Sequence, residues 1–154
     1  MISPNAALAE LEKDRSIGPL AHLPEWSAIQ PDLIEPGVGV LLADIEAAFL
    51  KLEQSVEPTW SGLMDPLERL NIRLARSIGA ISHLLSVHYS DELQAAYDVV
   101  RPRFVDLGNR MSQSRSIYHG LKAMQASIEW QTIQRPSRRA LDLKAQKWLN
   151  HNLA

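Results

Sequence analysis

The spacing of apolar residues is the feature that most constrains this chain. From Val38 to Ile128 they recur at steps of three and four, interrupted only by short polar segments. The longest run consists of Leu63, Leu67, Leu70, Leu74, Ile78, Ile81 and Leu85. An α-helix has about 3.6 residues per turn, so such steps place the apolar side chains on one helix face. No segment alternates apolar and polar residues as a half-buried strand does. The sequence therefore predicts an all-α fold.

Start and stop signals divide the first half of this pattern. Pro36-Gly37 is typical of a helix start, because the N–H that proline lacks is not needed in the first turn. Val56–Thr59 interrupts the helix, and the Thr59 hydroxyl is a predicted cap for the segment that follows. Asp65-Pro66 is a second start signal, with Asp65 as the cap and Pro66 in the first helical position.

The second half shows three further helices. Ser90 is a predicted cap for a helix that continues, with a kink, through Pro102. A serine-rich turn at 112–116 precedes a shorter helix that ends near Ile128, and a last helix starts near Pro136. Short turns between helices favour antiparallel neighbours. We expect an antiparallel helical bundle of about five helices.

The first 36 residues form a separate segment in this interpretation. A short helix is predicted at 6–13, followed by an extended arm at 15–36 that contains four prolines and Gly18. The apolar residues of the arm are spaced as contacts across the outside of helices rather than as a free tail. The predicted division is therefore 1–36, an N-terminal helix and extended arm, and 37–154, the helical bundle.

A search for reactive groups identifies no site. The chain has 0 cysteines and 5 histidines, and no two histidines lie three or four residues apart, as zinc ligands on one helix would. Gly37 and Gly39 resemble a fragment of a dinucleotide-binding loop, but no strand precedes them and a third glycine is missing. The carboxylate pairs Glu57/Asp65 and Asp91/Glu92 fall at turns and helix starts, where the helix dipole explains them. We predict no catalytic, cofactor-binding or metal-binding residue.

Charge distribution bears on the possible partners. The net charge is -2, but residues 1–77 carry 6 basic against 12 acidic side chains and residues 78–154 carry 10 against 6. The basic residues at 135, 138, 139, 144 and 147 lack interleaved aromatics, so we expect a solvated face or a protein contact and no nucleic-acid partner. Apolar runs are too short to cross a bilayer, so no membrane partner is expected.

The N-terminal sequence bears on localisation. The first 14 residues contain three acids and no arginine, unlike a secretory or transit leader. We therefore expect a cytoplasmic protein, with an organellar form of the parent enzyme left open.

Several ordered landmarks carry a resemblance to a known family. They are Leu23-Pro24-x-Trp26, Pro36-Gly37, Leu52-Glu53-x-Ser55-Val56-Glu57-Pro58-Thr59-Trp60, Pro66-Leu67-Glu68, Ser82-His83-Leu84, Asp91-Glu92-Leu93-x-x-Ala96-Tyr97, Pro102 and Ile117-Tyr118-x-x-Leu121-Lys122-Ala123. In order and spacing they resemble the N-terminal region of oligopeptidase A, one of the thimet-oligopeptidase-like zinc metallopeptidases. The likeness is to the plant and cyanobacterial type and runs from about Gly18 to Ala126.

The resemblance implies a function without implying a reactive residue. In that family an H-E-x-x-H helix and a downstream glutamate of the C-terminal half hold the catalytic zinc. The helical N-terminal region forms one wall of a deep channel that admits short peptides. None of the zinc ligands has a counterpart here, so zinc is expected only in the parent enzyme, and this chain is expected to be truncated before the catalytic domain.

Two functional hypotheses follow from these expectations. In the first, the chain is a non-catalytic domain whose partners are the remainder of the parent peptidase, or a full-length homologue, and short peptides. In the second, it is a free-standing helical protein that binds peptides or associates with a full-length homologue.

Overall fold

The described part of the structure consists of helices and the short links between them. The structure is a computed structural model, and it describes residues 26–127 together with Trp130, Arg139 and Leu143. The elements are a 3-10 turn at Trp26–Ala28, α1 at Pro31–Gln54, a π-helical turn at Trp60–Met64, α2 at Asp65–Val87, α3 at Asp91–Ser112 and α4 at Arg115–Gln125. Within the described residues there is no strand, and the predicted all-α class is confirmed.

Two predicted helices lie wholly or mostly outside the described residues. The helix predicted at 6–13 and the arm before Trp26 lie outside the described residues, as does the last helix apart from the helical positions Arg139 and Leu143. The described part therefore contains four of the five helices expected. None of these helices combines the length and the apolar character that a membrane crossing requires.

The prediction of an extended arm as far as residue 36 is wrong at its end. Helix α1 begins at Pro31, and Pro36 lies inside it. Pro31 occupies the first helical position, where a missing N–H has no cost. Pro36 has no N–H and therefore removes one backbone hydrogen bond in the second turn. Ile34 and Val38, one turn apart, are nevertheless both fully buried. Their burial continues the apolar face of α1 across the proline and outweighs the lost bond.

The chain divides into two compact units, each built from parts of the long helices. The described part of the first unit consists of residues 26–46 and 71–107. Arg73, near the start of α2, pairs with Asp44 of α1, whereas His83, further along α2, contacts Trp26 before α1. Helices α1 and α2 therefore run in opposite directions here. The link between α2 and α3 is three residues long, which makes these two helices antiparallel as well.

The second unit contains the turn before α2 and the short helix α4. Its described part consists of residues 47–70 and 108–127, with Trp130 and the helical positions beyond it. The core is formed by side chains with almost no exposed surface, namely Phe49, Leu63, Leu67, Ile117, Leu121 and Met124. Helix α4 packs on the π-helical turn at Gly120, where the side chains of Val56 and Leu63 come so close that a Cβ atom would not fit.

Capping at the turn before α2 is partly as predicted. The Thr59 hydroxyl accepts a hydrogen bond from the Gly62 N–H at 3.0 Å, which confirms Thr59 as a cap. The prediction of Asp65 as a cap is wrong: Asp65 is helical, with φ -61° and ψ -47°, and its N–H donates to the Trp60 carbonyl. The helical backbone already starts at Trp60, so Pro66 follows a formed turn instead of opening a helix.

The predicted cap of α3 is confirmed, and the structure shows a cap of α4 that was not predicted. The Ser90 hydroxyl accepts from the Leu93 N–H at 3.2 Å, and α3 continues as one helix through Pro102. The serine-rich turn ends at Ser114, whose hydroxyl accepts from the Ile117 N–H and caps α4. Helix α4 therefore begins two residues before its first buried side chain.

Candidate interaction surface

Three of the five histidines, His83, His88 and His119, lie among the described residues. His83 is exposed, and its ring lies 5.2 Å from that of Trp26 in the first unit. His119 is exposed in the second unit beside Tyr118, and His88 is exposed after the end of α2. Among the described residues there is no group of three His, Asp or Glu side chains that could hold a metal ion. These residues do not fit the zinc ion that the resemblance implies for the parent enzyme.

The acidic residues at the start of α3 act on the helix rather than on a substrate. The pKa of Glu92 lies below its usual value because its own backbone N–H and then the Ser90 hydroxyl donate to the carboxylate. The pKa of Tyr89 is raised by its hydrogen bond to Asp91, 3.1 Å away, and by the charge of Asp91. At neutral pH this carboxylate stays ionised and this phenol stays protonated. Neither group is suited to exchanging protons with a substrate.

The glycine pair that resembled a nucleotide-binding loop lies within α1. Gly37 is buried, and a Cβ at Gly39 would lie 3.3 Å from Nη2 of Arg103. Arg103 crosses this position, and its Nη1 lies 3.8 Å from a carboxylate oxygen of Glu35. Gly39 therefore makes room for an arginine side chain of the same unit, and Pro36-Gly37 is not the helix start that we predicted.

A more enclosed ion pair joins Arg110 to Glu53, and the sequence analysis missed it. Arg110 Nη2 of α3 lies 3.0 Å from Glu53 Oε2 of α1, and the two side chains are 37% and 20% exposed. The guanidinium carbon of Arg110 also lies 5.3 Å from the ring centre of Phe49, a cation–π distance. The two partners are 57 residues apart in sequence, so no local pattern could have indicated them. The contact joins α1 to α3 within the second unit.

The described surface also contains exposed apolar side chains. The large ones in α1, α2 and α3 and their links are Val40, Leu50, Val87, Tyr89, Val99 and Val105. Single exposed apolar residues are normal on a protein surface, but a continuous group indicates a contact with another surface. The described residues bring together no reactive constellation.

Comparison with known proteins assigns the family. Residues 38–150 match the family model for the N-terminal domain of neurolysin and thimet oligopeptidase. The chain therefore belongs to the neurolysin/thimet oligopeptidase family. The expected resemblance to oligopeptidase A is confirmed.

Individual relatives are oligopeptidases A of plants and bacteria. An organellar oligopeptidase A of Arabidopsis thaliana is 35% identical over 124 residues, or 80% of this chain and 16% of the relative. A probable cytosolic oligopeptidase A of the same plant is 33% identical over 80% of this chain and 18% of the relative. Oligopeptidase A of Haemophilus influenzae is 29% identical over 78% of this chain and 18% of the relative. The matched segment spans less than a fifth of each relative.

Proposed function

We propose that this chain is a non-catalytic helical domain of an oligopeptidase A-like zinc metallopeptidase and forms one wall of its substrate channel. The observation that carries the proposal is the match of 38–150 to the N-terminal domain of the family. The names of the relatives describe enzymes that cleave oligopeptides, and the matched segment is a small part of each. The partners are then the rest of the parent peptidase and short peptides, and the compartment is the cytoplasm.

The long helices support a role as a wall. Helices α1 and α2 contain 24 and 23 residues, which corresponds to about 35 Å each at about 1.5 Å per residue. The caps and ion pairs of these helices form within each unit. Their polar groups therefore stabilise the helices themselves and leave the outer helix surfaces to line the channel or to contact the rest of the peptidase. In the parent enzyme the zinc ion would polarise the peptide carbonyl, and this chain would limit access to short, unfolded peptides.

A chimera tests the proposal. The matched segment of the organellar oligopeptidase A of Arabidopsis is replaced by this chain, and cleavage of quenched peptides of increasing length is followed with and without chelator. We expect the chimera to retain chelator-sensitive cleavage of short peptides and a sharp decline with length. The same enzyme with the segment deleted serves as the control, and it should be inactive or should lose the length limit.

Two results would contradict the proposal. The first is a chimera that folds but behaves like the deletion control. The second is chelator-sensitive cleavage by the isolated chain, which would make it an enzyme in its own right.

A further inference from the structure

Helix α4 has an exposed basic face in the second unit. We define the basic face of α4 as Arg115, Tyr118, His119 and Lys122, whose spacing places them on one side of the helix. The two charged residues and His119 are exposed, whereas Tyr118 is half-buried with its ring 5.5 Å from that of His119. The side of α4 that packs on the π-helical turn at Gly120 is the opposite one.

The lack of acidic residues distinguishes α4 from the other long helices. Between Asp106 and Glu129 the chain contains no aspartate or glutamate, so α4 has no negative side chain. The exposed residues of α1, α2 and α3 include both acidic and basic side chains in each helix. Such mixed charges are typical of a solvated helix surface. The basic face of α4 has charges of one sign only and therefore attracts anions.

The two cations of the basic face have no counter-charge among the described residues. Arg73, Arg103 and Arg110 lie 3.0–3.8 Å from a carboxylate oxygen of α1. No described carboxylate forms an ion pair with Arg115 or Lys122. The charges of these two side chains are therefore available to a ligand.

The stability of α4 does not explain Arg115. The first turn of a helix favours negative side chains, because the helix dipole is positive there. Helices α1, α2 and α3 each have an acidic residue in the first turn, whereas α4 begins with Arg115 and has none. An arginine at this position acts against the helix dipole, which favours a role in binding over a role in folding.

The dimensions of the basic face fit a short peptide. Arg115 and Lys122 lie about 10 Å apart along the helix axis, at about 1.5 Å per residue. Four residues of an extended peptide cover the same distance at about 3.3 Å per residue. A peptide with two carboxylates within four or five residues can therefore pair with both cations. Nucleic-acid binding neutralises more phosphates than two fixed charges can contact.

We propose that the basic face of α4 is a docking site for acidic peptide segments. Arg115 and Lys122 pair with carboxylates of the peptide, and the Tyr118 hydroxyl and the His119 ring between them provide hydrogen-bonding groups for its backbone. The inference goes beyond the proposed function. Its consequence for an oligopeptidase, a preference for acidic peptides as substrates, rests on that function.

NMR titration of the isotope-labelled chain tests the site directly. The probe is a six-residue peptide with glutamate at alternate positions, and the control is the same peptide with glutamine in their place. We expect amide shifts concentrated at residues 115–123 with the glutamate peptide only. Because exposed charges are screened by salt, these shifts should decrease as the ionic strength is raised.

Charge reversal locates the binding energy. The double variant Arg115→Glu/Lys122→Glu is expected to weaken binding of the glutamate peptide roughly tenfold. Glutamate at position 115 suits the helix dipole, so α4 should stay folded, and circular dichroism checks this. The matched control is Arg76→Glu/Arg101→Glu in the first unit, whose two arginines are also exposed and form no ion pair with a described carboxylate. This control changes the net charge equally and should retain most of the affinity.

Three results would overturn the proposal. They are equal losses of affinity in the two double variants, equal binding of the glutamine peptide, and tighter binding of a single-stranded oligonucleotide of the same charge, which would assign the basic face to phosphates. If the isolated chain gives no dispersed spectrum, the ratio of kcat/KM for the glutamate and glutamine peptides in the chimera makes the same comparison between the double variants.

The outcomes separate this inference from the proposed function. The titration requires no peptide cleavage, so a chimera that behaves like the deletion control leaves the docking site intact and removes only its consequence for substrates. An active chimera whose chain shows no localised binding of the glutamate peptide leaves the proposed function standing, and the docking site is then wrong.

Discussion

At the scale of single residues, Gly120 controls a close approach in the second unit. A Cβ at this position would overlap the side chain of Val56 and lie 3.0 Å from Cδ2 of Leu63. Val56 lies in the link that follows α1 and Leu63 in the π-helical turn before α2, and Leu63 is fully buried. Interiors are close-packed, so even one methyl group has to be accommodated by a shift of the turn or of α4.

Replacing Gly120 by alanine is therefore expected to destabilise the protein. We expect the free energy of unfolding to fall by about 1–3 kcal/mol, as for other overpacked cores. The control is Gly79→Ala in α2, where a Cβ meets no atom within 4 Å. There the better helix propensity of alanine should raise the free energy of unfolding by up to about 1 kcal/mol. Urea titration of both variants measures the difference, and equal effects would contradict the packing described for Gly120.

Two arginine pairs are expected to differ in how much each one stabilises the fold. Arg110→Met removes an enclosed pair and its contact with Phe49, and we expect a loss of about 1–2 kcal/mol in the free energy of unfolding. Arg103→Met removes a pair at 3.8 Å whose side chains are 43% and 61% exposed, and it should cost at most about 0.5 kcal/mol. A double-mutant cycle of Arg110→Met with Glu53→Gln isolates the pair. A coupling energy of zero would show that Arg110 acts through packing alone.

At the scale of elements, caps and dipoles determine where the helices begin. Thr59, Ser90 and Ser114 each accept a hydrogen bond from a backbone N–H three residues on. These interactions are local, and for that reason the caps at Thr59 and Ser90 were predicted from the sequence, whereas Ser114 was placed only in the serine-rich turn. The start of α1 was not predictable from local signals. Two prolines are tolerated there because the burial of Ile34 and Val38 outweighs their cost.

The start of α3 gives a prediction for pH dependence. The pKa of Glu92 is lowered in the folded state, chiefly by its own backbone N–H and then by Ser90. A lowered folded pKa means that the contribution to stability is present above the unfolded pKa and is lost as pH falls through the folded pKa. We expect thermal midpoints of the wild type to decline on acidification below the usual glutamate pKa, and Glu92→Gln to reduce this decline. A Glu68→Gln variant, in the first turn of α2, is the control for loss of one carboxylate.

At the scale of the whole molecule, three helices pass through both compact units without a break. Helices α1, α2 and α3 each contribute one part to the first unit and one to the second. Unfolding of either unit would therefore remove parts of the helices on which the other depends. This continuity favours one cooperative transition over two independent ones.

Single-tryptophan variants test this cooperativity. One variant keeps Trp26 in the first unit and the other keeps Trp60 in the second, with the remaining tryptophans replaced by phenylalanine. We expect the midpoint of urea unfolding from fluorescence to coincide with that from circular dichroism within each variant. A fluorescence transition that precedes the loss of helix in one variant only would show that its unit unfolds separately.

The sequence by itself determined the helical class, the positions of α2, α3 and α4 within a few residues, and the caps at Thr59 and Ser90. It could do so because helical periodicity and capping depend on residues within one or two turns of each other. It also showed the family resemblance, because the order and spacing of the landmark residues can be read without knowing any contact.

Only the tertiary structure decided the features that depend on distant residues. Glu53 and Arg110 meet across 57 residues, Gly120 is needed because Val56 and Leu63 lie against it, and α1 extends back to Pro31 because Ile34 enters the core.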